Sequence, residues 1–516
     1  MTEAEKPAGN YGWYALGVLV LVYMLNFIDR QILSILANDI KADLGLSDAD
    51  LGFLYGTAFA IFYALFGVPL GRLADGWHRV RLLSLGLSLW SLMTTLSGFA
   101  RNGTTLALAR IGVGVGEATA TPCAYSLIAD WFPARMRGTA LGIYSAGLFI
   151  GSGLSLLIGG AIVEAWNGAY PQGGPMGLVG WQAAFIGVGL PGVVLALWVL
   201  TLREPVRGAI DGIPTQGDPH PWRVFMEQLV QLIPPLTLID ATRRGPKALA
   251  INLAGAAVIG GIFWLLAYLT ASPAQFLFLG LGYYAVFSWA CALYDRDRPL
   301  FALTWGSPAF MGIVIAYGAD CFVGYTVSYW AAPYAERVFD VDKASLGLLI
   351  GAPAALGGFL GVVFGGRLAD MLQARFPAGR IMVLAIALIM PVPIMLVGYS
   401  TGNPTLFYIL AFAVQFVTAS ALGAAGAASQ SLVLPRMRGT ATGIFFLGTT
   451  LCGLGLGPFM AGFVSETTGD LAFGVKSTLI SAPFGLVALA IAIRTAPRAA
   501  ATIMERARAA GEKLAA

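Results

Sequence analysis

The stretch that decides the architecture is GRLADGWHRVR, residues 71–81, whose first five letters return in GRLADMLQARFPAGR, residues 366–380. The offset is 295 positions. A second word, RMRGTA, stands at 135–140 and again at 436–441, an offset of 301. Two words in one order at nearly one offset mark a duplication. The first word closes an apolar run in each copy, and the second opens one.

The rest of the 516-residue chain fits that frame. It is 57% hydrophobic and 11% charged, where soluble domains carry about 25% charged residues. Gly (66) and Pro (27) are frequent, and membrane helices tolerate both because neighbouring helices re-satisfy the freed backbone groups. A helix needs about 20 apolar residues to cross a bilayer. Such runs lie at 12–37, 51–71, 80–99, 104–129, 138–164 and 180–202, which are spans 1 to 6. Two extra runs lie at 248–271 and 275–294. Spans 7 to 12 follow at 306–334, 345–367, 380–400, 403–432, 439–465 and 473–495. The expected fold is an all-α membrane protein of 14 spans, two homologous six-helix bundles with two extra helices between them. The expected divisions are 1–205, a linker with the extra helices at 206–303, 304–497, and a tail at 498–516.

Charge sets the orientation. With the N-terminus inside, 24 of the 31 Lys and Arg fall in cytoplasmic segments, five in external loops and two within spans. The positive-inside rule therefore predicts that both termini are cytoplasmic, in a plasma or bacterial inner membrane. The first ten residues lack a signal-peptide pattern, so the first run is expected to stay as a span. Cys123, Cys291, Cys321 and Cys452 all lie in apolar runs and read as small core residues. His78 and His220 are both in predicted loops, which excludes a histidine relay inside the membrane. Within the polar segment 206–247, WRVFMEQLVQL (222–232) is amphipathic. It fits a helix on the inner membrane surface and equally an ordinary linker helix.

GRLADGWHRVR resembles the cytoplasmic signature of the major facilitator superfamily, a Gly-x-x-x-Asp followed by basic residues. His78 stands where that signature usually has Gly. The resemblance implies two bundles rocking around a central cavity. It implies a cytoplasmic gate at Gly71, Asp75, Arg79 and Arg81, with Gly366, Asp370, Arg137 and Arg438 at the repeat and at RMRGTA. In such a gate the Asp meets the positive end of a helix from the other half. The second copy spaces its basic residues more widely.

A charge at mid-bilayer costs about 2.5–3.5 kcal/mol on insertion scales, so it usually faces a cavity and carries function. Five such residues stand out: Asp29 and Arg30 in VYMLNFIDRQIL, Arg110 and Glu117 in ARIGVGVGEATATP, and Asp320 in VIAYGADCFVGY. Arg110 and Glu117 share a helix face, two turns apart. At 1.5 Å per residue, Asp29 and Arg30 lie about 10–12 Å below the outer end of span 1. Arg110 and Glu117 lie about 9 and 20 Å below that of span 4. The depths overlap, so Arg30 is expected to pair with Glu117 and Asp29 with Arg110, or crosswise. Asp320 follows Asp29 by 291 positions and is its expected symmetry mate, whereas Glu117 maps near the neutral Gln415. The glycines of GVGVG, within an apolar helix, read as a packing face rather than a phosphate loop.

NFIDRQ in span 1 and IGVGVGEATATPCAYSLIADWF in span 4 resemble the Spinster-like lipid transporters. IGSGLSLLIGG resembles that family's span 5. The resemblance implies proton-coupled movement of a sphingolipid or lysolipid through the bilayer. The expected proton carriers are Asp29, Glu117 and Asp320. The expected substrate contacts are Arg30, Arg110, Tyr23, Asn26, Phe27, Thr121, Tyr329 and Gln415, with arginine suited to an anionic headgroup. No cofactor, metal or nucleic acid is expected, and a monomer is expected to function. A proton-coupled organic-anion symporter of the same superfamily is the alternative, and a lipid-responsive receptor or scaffold is the alternative of another class. An enzyme is not expected, since no Ser-His-Asp set, metal cluster or Walker loop appears. GLGLGPFMAG in span 11 carries a Gly-Pro suited to gating flexibility.

Overall fold

The computed structural model describes residues 9–211 and 217–512. Every regular element among them is helical. Thirteen helices are long and apolar enough to cross a membrane among the described residues. In the first half these are span 1 (Asn10–Leu44), span 2 (Asp48–Gly76), span 3 (Arg79–Ser97), span 5 (Arg135–Ala169) and span 6 (Gly180–Leu200). The extra helices are Pro246–Thr270 and Pro273–Arg296. The second half holds span 7 (Pro308–Phe339), span 8 (Lys343–Gln373), span 9 (Gly379–Gly398), span 10 (Pro404–Gln430), span 11 (Pro435–Thr468) and span 12 (Leu471–Ala501). Below, the outer end of a span is the one remote from the GRLAD loops.

Span 4 is the difference between thirteen and fourteen. It folds as two pieces, Gly103–Glu117 and Ala120–Trp131, neither of which is long enough alone. Pro122 supplies the reason. It has no N–H for the carbonyl of Ala118, and its ring crowds that carbonyl. Thr119 closes the break locally, its hydroxyl donating to the Gly116 carbonyl at 2.8 Å. The break falls directly after Glu117.

Small residues let the helices approach closely. A Cβ on Gly116 of span 4 would lie 2.8 Å from both the Gly86 carbonyl and the Trp90 amide of span 3. Spans 3 and 4 are thereby held at a separation that only glycine allows.

The chain forms two compact units, and each draws on both sequence halves. The first takes residues up to Leu46, Phe62–Leu229, and Ala332–Ala355 from spans 7 and 8. There the start of span 8 lies along span 5: a Cβ on Gly351 would meet the Gly153 carbonyl at 2.6 Å. Lys343, nearly buried, pairs with Glu336 and, at 3.4 Å, with Asp39 of span 1. The second unit takes Ser47–Ile61 from span 2, Val230–Ala331, and the chain from Leu356 onward. There the outer part of span 2 lies against span 11. A Cβ on Gly52 would fall 2.5 Å from the Pro458 carbonyl, and the buried Ser465 hydroxyl donates to Asp48 at 2.7 Å.

The extra helices differ from each other. Only 6% of the apolar window of Pro246–Thr270 is buried, against 44% for Pro273–Arg296. The first faces outward along its length and the second packs. Ahead of them, the expected helix over 222–232 forms as Pro221–Leu232. Its Trp222 lies 5.2 Å from the Trp77 ring, while Met226 stays exposed.

Candidate functional site

Span 1 turns about 100° per residue, so neighbouring positions face different surroundings. Arg30 faces span 4. Its Nη2 donates to Glu117 Oε2 at 2.7 Å, with side chains 7% and 0% exposed. The guanidinium also lies 4.7 Å from the Phe27 ring centre and 5.1 Å from that of Tyr63, within cation–π range. The rings continue. Tyr23 meets Phe27 edge-on at 5.2 Å and stacks on Tyr144 at 4.3 Å, and Tyr144 meets Tyr125 edge-on at 5.8 Å. Asn26, one turn from Arg30, is buried beside Glu117.

Asp29 faces another way. It is fully buried beside Trp90 and Thr94 of span 3. Neither of its carboxylate oxygens has a hydrogen-bond partner among the described residues. The hydrogen bond from Arg110 to residue 29 goes to the main-chain carbonyl, at 3.1 Å. Of the expected pairings, then, Arg30 with Glu117 forms directly. Arg110 reaches Asp29 through its backbone, because the side chain of Asp29 points toward span 3. Thr121 sits half-buried in the second piece of span 4.

The remaining candidates lie in the second unit. Asp320 is 3% exposed, and no ion pair forms at it among the described residues. A Cβ on Gly324, one turn on, would meet Thr418 of span 10 at 3.6 Å, so spans 7 and 10 touch there. Gln415 is half-buried three residues before Thr418. Tyr329 is fully buried, stacked on Tyr55 at 4.3 Å and edge-on to Trp330 at 4.9 Å. It is a packing residue in this arrangement.

At the inner ends the gate candidates separate. Arg79 is fully buried and donates from all three nitrogens: to Glu204 at 2.7 Å, to Ser126 Oγ at 2.8 Å, to the Pro205 carbonyl at 2.8 Å, and to Asp130. It ties span 3 to the ends of spans 4 and 6. Asp75 and Arg81 are exposed, and Gly71 is half-buried. Arg137 donates to the Ala129 and Phe132 carbonyls at 2.9 and 3.0 Å and to Asp211 at 2.7 Å. In the second copy Gly366 has open space where a Cβ would stand. Asp370, 75% exposed, pairs with Arg380 at 3.2 Å. Arg438 is exposed, and its neighbour Arg436 makes the contacts instead, to Asp297 at 3.0 Å and to Glu512 at 2.6 Å.

Sequence reasoning missed Tyr63, Tyr125, Tyr144, Trp90, Thr94 and Arg436. An aromatic or hydroxyl group inside an apolar run gives no sign of which neighbour it faces. Among the described residues no three His, Cys, Asp or Glu side chains converge as a metal site.

Comparison with known proteins bears on the family and the fold. The Major Facilitator Superfamily profile matches residues 19–320. An MFS-type efflux pump of Mycolicibacterium smegmatis is 27% identical over 91% of this chain and 88% of its own length. Protein spinster of Drosophila melanogaster is 27% identical over 40% of this chain and 32% of its own. A probable L-galactonate transporter of Escherichia coli is 34% identical over 37% and 39%. Among solved structures, a bacterial homolog of the human lysosomal transporter Spinster, inward-facing and occupied, superimposes with a TM-score of 0.68. It is 26% identical and covers 96% of this chain and 98% of its own. The chain is a multi-pass membrane transporter that belongs to the Major Facilitator Superfamily.

Proposed function

We propose that the protein is a proton-coupled secondary transporter of an anionic amphipathic lipid, of sphingolipid or lysophospholipid type, working by alternating access of its two halves. The observation that carries this is the buried Arg30–Glu117 pair set against the Tyr23, Phe27, Tyr63, Tyr125 and Tyr144 rings. A phosphate competes with Glu117 for the guanidinium, since both offer oxygens to the same planar donors. When the headgroup takes Arg30, Glu117 loses its counter-charge inside an apolar bundle. A buried carboxylate in that position takes up a proton rather than stand unpaired. Substrate and proton thus enter together, while the aromatic wall holds the acyl chain. Asp29 and Asp320, both buried, serve as further proton carriers.

A second reading, a proton-coupled organic-anion symporter, is supported by the sugar-acid relatives, which are 34% and 29% identical over 191 and 211 residues. A carboxylate competes for Arg30 by the same logic. Reconstituted protein decides between them. Liposomes are offered labelled lysophospholipids and, separately, galactonate, with and without an imposed pH gradient. The expected result is lipid movement that the gradient accelerates. Arg30→Ala should lower it by roughly tenfold or more, the loss of a charge-assisted hydrogen bond. Glu117→Gln should leave residual movement that responds less to the gradient. Galactonate uptake without lipid movement would replace the lipid reading, and gradient-independent transport by the unaltered protein would remove the proton.

A further inference from the structure

The two extra helices have no place in a plan of two six-helix bundles, yet the second packs where span 2 of the first half meets span 11 of the second. Span 11 is weakened at that point. Its helix widens into a π-turn at Thr450–Leu454 and restarts at Gly457, just before Pro458. Pro458 has no N–H, so the i→i−4 ladder is interrupted. The Gly455 carbonyl accepts side chains from two other elements. Thr57 of span 2 donates to it at 2.5 Å, and Gln275 of the second extra helix donates to it at 3.1 Å. One carbonyl therefore joins three elements.

The contacts continue along the second extra helix. Phe276 meets Phe459 of span 11 edge-on at 5.7 Å, and Phe278 stacks on Phe53 of span 2 at 5.8 Å. A Cβ on Gly282 would stand 2.8 Å from Ile61 of span 2 and 3.1 Å from Leu451 of span 11. Tyr283 Oη lies 3.3 Å from Cys452 Sγ. At the inner end of the hairpin, Arg296 pairs with Asp240 at 2.6 Å, and Arg244 with Asp240 and Asp295 at 2.9 and 2.7 Å. The hairpin is thus pinned at its base, and near its turn it touches both sides of one seam.

We infer that the extra hairpin is a brace on the seam between span 2 and span 11. It holds their outer ends together and must release them before that end of the transporter opens. Spans 2 and 11 come from different sequence halves, so any opening between the halves at the outer face parts this seam. Gln275 and Thr57 share the Gly455 carbonyl, which lies between the π-turn and the restart of the helix at Gly457. Parting the seam leaves the Gly455 carbonyl with fewer donors in an apolar surround, which the hairpin opposes. The brace acts whatever the substrate is, so it stands apart from the lipid and proton readings.

Hydrogen–deuterium exchange on the full-length protein in lipid nanodiscs tests this. Gln275→Leu removes the donor and keeps an apolar body, and Tyr283→Phe removes the hydroxyl beside Cys452. In each, exchange at residues 48–56 and 457–465 should rise roughly three- to tenfold, as one net hydrogen bond implies. Amides at 82–90 of span 3 should stay as they were. Trp264→Ala, on a side chain 70% exposed on the first extra helix, should change neither region. Unchanged exchange at both seam segments in the two variants would overturn the brace. So would a rise shared equally by span 3, which would mean general loosening.

Discussion

Arg79 and Arg81 stand two positions apart in one motif and do different work. Arg79 is fully buried with side-chain and main-chain acceptors on four residues, whereas Arg81 is exposed. Removing one partner of a buried charge network costs about 3–5 kcal/mol, while an exposed change stays within about 0.5 kcal/mol. Thermal unfolding in detergent should therefore show Arg79→Ala markedly destabilised and Arg81→Ala near the parent; equal effects would refute the assignment. The motif made these two arginines look equivalent. What separates them is the return of Asp130 and Glu204, 51 and 125 positions away, which local pattern does not encode. The Arg30–Glu117 pair was legible for a different reason. Charges in apolar runs are rare, and the fixed helical rise converts their positions into depths. The depths could not give the rotation of span 1, so the turn of Asp29 toward Trp90 and Thr94 was out of reach.

At the scale of elements, the apolar runs located the helices because hydrophobic length is a strong signal, but breaks within them depend on single residues. Pro122 could have announced the break in span 4, as Pro458 announces a disturbance in span 11, but neither tells whether the helix breaks or widens into a π-turn. The tail shows a further arrangement that the sequence hides. Helix Ile503–Ala509 buries Ala507, and Arg506 donates to the Ala302 carbonyl at 2.9 Å. Beyond it, Arg436 gathers Glu512 and Asp297. The hydrogen bond from Arg436 holds the Glu512 carboxyl below its usual range. Burial raises that of Asp297, but hydrogen bonds from Arg436 and the Leu300 amide outweigh it and hold it low as well. Both groups have depressed folded values, so their stabilisation is complete above the unfolded values, about pH 4. It is lost as pH falls through the lower folded values. Protection from hydrogen exchange over 503–512, taken relative to the intrinsic rate at each pH, should hold from pH 8 to 5 and fall only below about pH 4. Release of the tail between pH 6 and 7 would show that these carboxylates do not hold it.

The whole molecule repeats its halves without repeating their chemistry. Where the first copy places Arg79, eight residues after the motif's first Gly, the second places Ala374. The buried inner-end tie therefore has no second edition, and the Arg30–Glu117 pair has only Gln415 near its image. The number of crossings also belongs to this scale. Among the described residues thirteen helices are long and apolar enough to cross, and thirteen crossings would put the termini on opposite faces. Counting the two pieces of span 4 as one crossing gives an even number and returns both termini to one face, as the Lys and Arg distribution predicts. Span 4 is thus the element on which topology turns. Reporter fusions examine it directly. Alkaline phosphatase should be active when fused after residue 102 and after residue 173, and a fluorescent reporter should fold after residue 133 and at the C-terminus. If the break let span 4 turn back without crossing, positions 102 and 133 would report the same face, and position 173 would report the opposite one. Glu117 would then sit at the tip of a re-entrant turn, and its pairing with Arg30 would no longer lie at the depth that the helical rise assigns.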